Sequence, residues 1–97
     1  MPTHEETDVF RRDFNSLGVD DMRAFRAAVK DFFADLRSRH FRQGLRVKGI
    51  NGAPGIFEMS WARGDGRATF QYGHAVKPGE THIIWRRVGR HEIFKQP

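Results

Sequence analysis

The 97-residue chain has no cysteine, which excludes a disulfide framework, a thiolate zinc site and a cysteine nucleophile together. It has three serines, Ser16, Ser38 and Ser60, and none lies in the Gly-x-Ser-x-Gly setting of a serine hydrolase. No apolar run approaches the roughly 18 residues that span a membrane, so no membrane partner is expected. The first residues, Met1-Pro2-Thr3-His4-Glu5-Glu6, lack the basic-then-apolar pattern of a signal peptide, and a soluble, cytoplasmic domain is expected. A glycine-rich phosphate loop and a His-Glu-x-x-His pattern are both missing. The five histidines (His4, His40, His74, His82, His91) are scattered rather than set at ligand spacing, so no metal and no cofactor are expected.

What is present is a foldable composition: 38% hydrophobic and 30% charged residues, with nine Phe and two Trp to fill a core. The length suits one domain, residues 1–97, without repeat or linker. The net charge of +5 is unevenly placed. Residues 1–43 carry eight basic and eight acidic side chains, whereas residues 44–97 carry nine basic and four acidic ones. Thirteen of the seventeen cations are arginine, the side chain suited to bidentate phosphate contact and to stacking on bases. An arginine excess confined to one half points to a polyanion, with nucleic acid ahead of a membrane surface. An organism with an arginine-rich proteome gives the same balance.

The first half has helical periodicity. Thr3 and Glu6 form a capping-box pattern, with Phe10, Phe14 and Leu17 following at spacings of four and three. Gly18 is expected to stop this helix and Asp20 or Asp21 to cap the next. Met22, Phe25, Val29, Phe32 and Leu36 then recur at 3-4-3-4, one apolar face at about 100° per residue. The result is a helical hairpin over about residues 4–40.

From about residue 44 to 95 the period changes to two. Leu45 and Val47 alternate with Arg46 and Lys48; Phe57, Met59 and Trp61 with Glu58 and Ser60; Ala68, Phe70 and Tyr72 with Arg67, Thr69 and Gln71. Turn signals at Asn51–Gly55, Gly64-Asp65-Gly66 and Pro78-Gly79 separate these runs, and His82–Val88 supplies a fourth. The expected fold class is α+β: an N-terminal α-hairpin packed on a four-stranded antiparallel sheet.

If the helices cover the apolar face, Arg46, Lys48 and Arg67 emerge together on the other, where cations neutralise phosphate charge and stabilise a crowded phosphorane. For any one of them, plain solvation of an exposed strand is the commoner case; the three together are what make a site. His91, flanked in sequence by Arg86, Arg87 and Arg90, is a candidate acid or base, since neighbouring cations favour neutral imidazole. Glu58 is either a general base or one half of a cross-strand pair with an arginine.

In this order the segments Gly44–Met59, with Leu45-Arg46-Val47-Lys48 and Pro54-Gly55-Ile56-Phe57-Glu58-Met59, Gly66–Tyr72, with Arg67, and Ile83–Phe94, with Gly89-Arg90-His91, are moderately specific. From about Thr7 to Phe94 the chain resembles the RelE/ParE superfamily of small type II toxin–antitoxin toxins, and more closely its RelE-like branch. The resemblance implies a RelE-like fold, a cognate antitoxin as partner, and metal-independent endoribonuclease action on mRNA at the ribosome. In that chemistry a ribose 2′-OH attacks the adjacent phosphate, leaving a 2′,3′-cyclic phosphate and a free 5′-OH. It implies catalytic roles for Arg67 (transition-state charge), Lys48 (2′-OH activation) and His91, or Arg90 beside it (acid or base). Substrate-binding roles fall to Arg46, Arg86, Arg90 and Phe94. Phe94 stands where ribonuclease members often carry a tyrosine; it can stack on a base but transfers no proton. Two other readings attach to the same fold: a ParE-like inhibitor of DNA gyrase, and a non-catalytic module binding nucleic acid or protein.

Overall fold

The helical layer begins at Thr7. In the computed structural model, which describes residues 2–97, the Thr7 hydroxyl accepts the Phe10 N–H at 3.0 Å and caps α1 (Asp8–Asn15). The capping box expected at Thr3 does not form, because Thr3–Glu6 is an extended strand, β1. Gly18 does not close α1, which ends at Asn15; it is instead the extended residue before α2 (Val19–Leu36). Asp20 and Asp21 lie in the first turn of α2, where they complement the helix dipole rather than cap the end. The helical hairpin thus covers 8–36, shorter than the expected 4–40.

The sheet is mostly antiparallel, with β2 (Lys48–Ile50), β3 (Ala53–Trp61), β4 (Gly66–Gly73) and β5 (His82–Gly89) in the order β1-β5-β4-β3-β2. The α+β class and the helix-over-sheet layering agree with the sequence reading. The strand count does not: β1 adds a fifth strand, parallel to β5. Its four residues, Thr-His-Glu-Glu, carry no apolar alternation, and pairing is fixed instead by a side chain of β5. His82 is buried, with Nδ1 2.6 Å from the Thr3 hydroxyl and Nε2 2.8 Å from the Glu5 carboxylate. Both ends of the second half also shift. Gln43–Leu45 is a 3-10 turn rather than the start of a strand, and after Gly89 the chain leaves the sheet for a 3-10 segment, His91–Lys95.

Pleating sorts the sheet into two faces. Phe57, Met59, Trp61, Ala68, Phe70, Ile83, Trp85 and Val88 face the helices and meet Phe10, Phe25, Phe32 and Leu36. Phe32 is completely buried, 5.0 Å from the Phe70 ring and 5.2 Å from Trp85. Truncating it to alanine removes a contact set worth about 3–5 kcal/mol. The opposite face carries Lys48, Glu58, Ser60, Arg67, Thr69 and Gln71. A register shift between Thr69 and Phe70 inserts an extra residue into β5, so Trp85 pairs with Phe70 while Arg87 pairs with Thr69. The segment His91–Lys95 packs on β4 and β5, with Ile93 buried above Gly89.

Candidate nucleic-acid interface at the β3–β4 turn

Arg67 stands opposite Ser60 in the β3–β4 register, on the face away from the helices. Its guanidinium folds back on the turn that precedes it: NH1 donates to the Gly64 carbonyl and, at 2.9 Å, to that of Gly66. The backbone beneath is fixed as well, because Trp61 Nε1 donates to the Arg67 carbonyl at 3.0 Å. Arg67 is therefore held in one orientation before any ligand arrives.

Arg46 reaches the same turn by another route. It lies outside β2 in the left-handed conformation (φ 47°), closing the Gln43–Leu45 turn, so the expected strand alternation of Arg46 with Lys48 is not realised. Its NH1 lies 3.9 Å from the point a side-chain carbon on Gly64 would occupy. Arg63 belongs to the turn itself, exposed and left-handed (φ 56°, ψ 33°), next to Ala62 in the same region (φ 51°). Sequence reasoning missed Arg63 because it centred the turn on Gly64-Asp65-Gly66; the available signal was an arginine directly before that motif.

Three arginines thus gather at one turn, and among the described residues none of them forms an ion pair. Other arginines are neutralised at home. Arg42 binds Asp31 and Asp35, Arg87 binds Asp13, and Arg90 binds Asp21 at 3.0 Å. Asp13 holds the Arg87 guanidinium above its usual pKa range. The turn carries three arginines against one carboxylate, Asp65, and this net positive charge favours an anion there.

The remaining sequence candidates are dispersed. Lys48 is exposed on β2, directly opposite Glu58. Arg86 is half-buried, donating to Gln71 Oε1 at 2.6 Å and to the Pro97 oxygen at 3.1 Å. Arg90 lies 5.4 Å from the Trp61 ring, with its charge turned to Asp21. The three arginines that flank His91 in sequence therefore each engage a partner elsewhere, and the ring partner of His91 is Phe94 at 5.6 Å. His91 is exposed and Phe94 half-buried, on a segment packed over Gly89, the register partner of Arg67. Tyr72 faces the helices, within reach of Arg39 at 4.2 Å. Among the described residues no three His, Asp or Glu side chains converge as metal ligands, and no helix is long and apolar enough to cross a membrane.

No family model and no curated protein matches the chain. Solved structures do match across nearly its full length. The E. coli RelBE toxin–antitoxin complex aligns with a TM-score of 0.60 at 13% identity, covering 93% of this chain and 96% of the other. YafQ of E. coli gives 0.63 at 10% identity over 97% and 98% of the two chains. A RelBE toxin–antitoxin complex of Mycobacterium tuberculosis gives 0.56 at 26% identity over 94% and 100%. The chain has the RelE-like toxin fold.

Proposed function

We propose that this RelE-like fold works as the toxin of a toxin–antitoxin pair, a metal-independent endoribonuclease that cuts ribosome-bound mRNA and is silenced by a cognate antitoxin. The observation that carries the reading is Arg67: a guanidinium locked by two turn carbonyls, free of any carboxylate among the described residues, and joined by Arg46 and Arg63. Preorganised charge of this kind stabilises a phosphorane without reorganising during the reaction. Several of the matched structures are toxin–antitoxin complexes, which supports an antitoxin partner.

In this mechanism the ribose 2′-oxygen attacks the adjacent phosphorus and the P–O5′ bond breaks. Arg67 meets the non-bridging oxygens as charge builds on them. Arg46, Arg63 and Lys48 hold the flanking phosphates, Arg86 adds a further contact, and Phe94 stacks on a base beside the break. His91 gives a proton to the departing 5′-oxygen. Arg90, engaged with Asp21, supports Trp61 and the turn from behind.

The test is the chemistry of the product. A short mRNA on programmed ribosomes should yield a 2′,3′-cyclic phosphate and a 5′-OH, and a 2′-deoxy substitution at the cleaved nucleotide should block the reaction. Arg67→Ala should lower the cleavage rate by about 10²–10³-fold. Uncut RNA under these conditions overturns the reading; loss of DNA gyrase supercoiling activity in its place would support the ParE-like alternative.

A further inference from the structure

Glu58 is the one carboxylate that β2, β3 and β4 place on the face carrying Arg67. It is half-buried in the middle of β3, next to Ser60, the register partner of Arg67. From β2, Lys48 stands directly opposite it; from β4, Thr69 stands opposite and Arg67 one diagonal step away. On β3 itself its same-face neighbours, Ile56 and Ser60, are uncharged, and the segment His91–Lys95, packed on β4 and β5, sets Glu92 and Ile93 over Gly89, the register partner of Arg67. A cross-strand pair with an arginine is the ordinary fate of a strand glutamate, yet among the described residues Glu58 forms no ion pair. Of the other acids nearby, Asp65 lies in the exposed β3–β4 turn and Glu92 accepts the Arg90 N–H at 3.1 Å.

We propose that Glu58 is the general base of the cleavage reaction, an inference that rests on the ribonuclease reading above. Glu58 and Arg67 are diagonal neighbours, about 7–8 Å apart at the backbone. Ser60 and Thr69 between them are buried and the Arg67 guanidinium turns to the Gly64 and Gly66 carbonyls, so a phosphate held by Arg67 lies above this patch with the Glu58 carboxylate at its far edge. The carboxylate takes the proton of the 2′-OH while the 2′-oxygen bonds to phosphorus. The P–O5′ bond breaks with its electron pair on O5′, which collects a proton from His91. Glu58 finishes protonated and His91 deprotonated, and exchange with solvent resets both. Lys48 is a poorer choice for the base, because an ammonium has no lone pair to receive a proton.

The experiment uses the full chain on ribosomes programmed with a short mRNA, bearing either the natural 5′-oxygen or a sulfur at the bridging 5′ position of the cut. Sulfur leaves without needing a proton, so the two substrates separate the base from the acid. With the natural substrate, Glu58→Gln should lower the maximal rate about 10²–10⁴-fold with KM little changed, while its thermal unfolding matches the parent. The sulfur substrate should restore His91→Ala and leave Glu58→Gln slow. Glu58→Gln cleaving within threefold of the parent, or recovering fully with the sulfur substrate, overturns this assignment and leaves the ribonuclease reading intact. An uncut natural substrate with the parent protein overturns both.

Discussion

The indole of Trp61 fills the space a side chain at Gly66 would need: a Cβ built on Gly66 would come 2.1 Å from the ring. A side chain at Gly66 therefore requires the indole to move. The same indole donates to the Arg67 carbonyl, so the contact that excludes a side chain at Gly66 also sets the strand position of Arg67.

Gly66→Ala should therefore destabilise the fold by about 1–3 kcal/mol, as overpacking of a closed site does, and weaken RNA cleavage in the molecules that fold. Gly44→Ala, where a Cβ meets nothing within 4 Å, is the matched control and should shift stability little. Chemical denaturation of both variants checks the pair.

Asp13 joins α1 to the β5 edge beyond the reach of β1. It accepts from Arg87 Nε at 2.6 Å and NH2 at 3.2 Å, and from the Val88 N–H at 3.2 Å. Asp13→Ala leaves a half-buried guanidinium and a backbone donor without their partner, at a cost of about 1–3 kcal/mol. Adding Arg87→Met should recover part of that loss, since an unpaired charge is worse than an apolar replacement. A double-mutant cycle by thermal unfolding measures the coupling.

Arg63 sits in the left-handed region, which costs an L-residue roughly 1–2 kcal/mol. Arg63→Gly should raise stability by about 1 kcal/mol and at the same time weaken RNA binding. The slope of log affinity against log salt should fall by about 0.7 if its one phosphate contact to single-stranded RNA is lost. Equal stability gain with an unchanged salt slope would separate Arg63 from the RNA track.

Asp35 gives the acid response a specific source. Arg42 donates to its carboxylate from Nε at 2.8 Å and NH2 at 2.9 Å, and from its backbone N–H at 2.9 Å; these bonds hold the carboxyl at about 2, below the usual 3.8. A depressed folded-state value means that ionised Asp35 stabilises the fold above its usual pKa and that this stabilisation is lost as pH falls through about 2. Asp35→Asn should be less stable than the parent near neutrality, with the difference shrinking as pH falls toward 2 and vanishing below it. Urea denaturation across that range reads it directly.

The helices and the strands β3, β4 and β5 were legible because burial imposes a period on them: 3-4 spacing from Met22 to Leu36, and two in Phe57–Trp61 and Ala68–Tyr72. What escaped was set by contacts distant in sequence. β1 is polar, and its place depends on His82, 79 residues from Thr3. Arg46 looked like a strand residue until the left-handed turn after Leu45 took it to Gly64. The cluster around His91 dissolved for a similar reason: Arg90 and Arg87 find their carboxylates 69 and 74 residues away, on the helices. A count of charges along the chain registers the excess of cations in the second half, but which of them remain unpaired is decided by the fold.

Whether Arg67 at the β3–β4 turn drives cleavage of mRNA on the ribosome is read directly by mapping reporter-mRNA 5′ ends with primer extension. The purified protein is added to a cell-free translation reaction, with Arg67→Ala in parallel. New 5′ ends should arise that require translating ribosomes and vanish with Arg67→Ala. Intact mRNA with the parent protein, or the same ends persisting with Arg67→Ala, would contradict cleavage driven by Arg67.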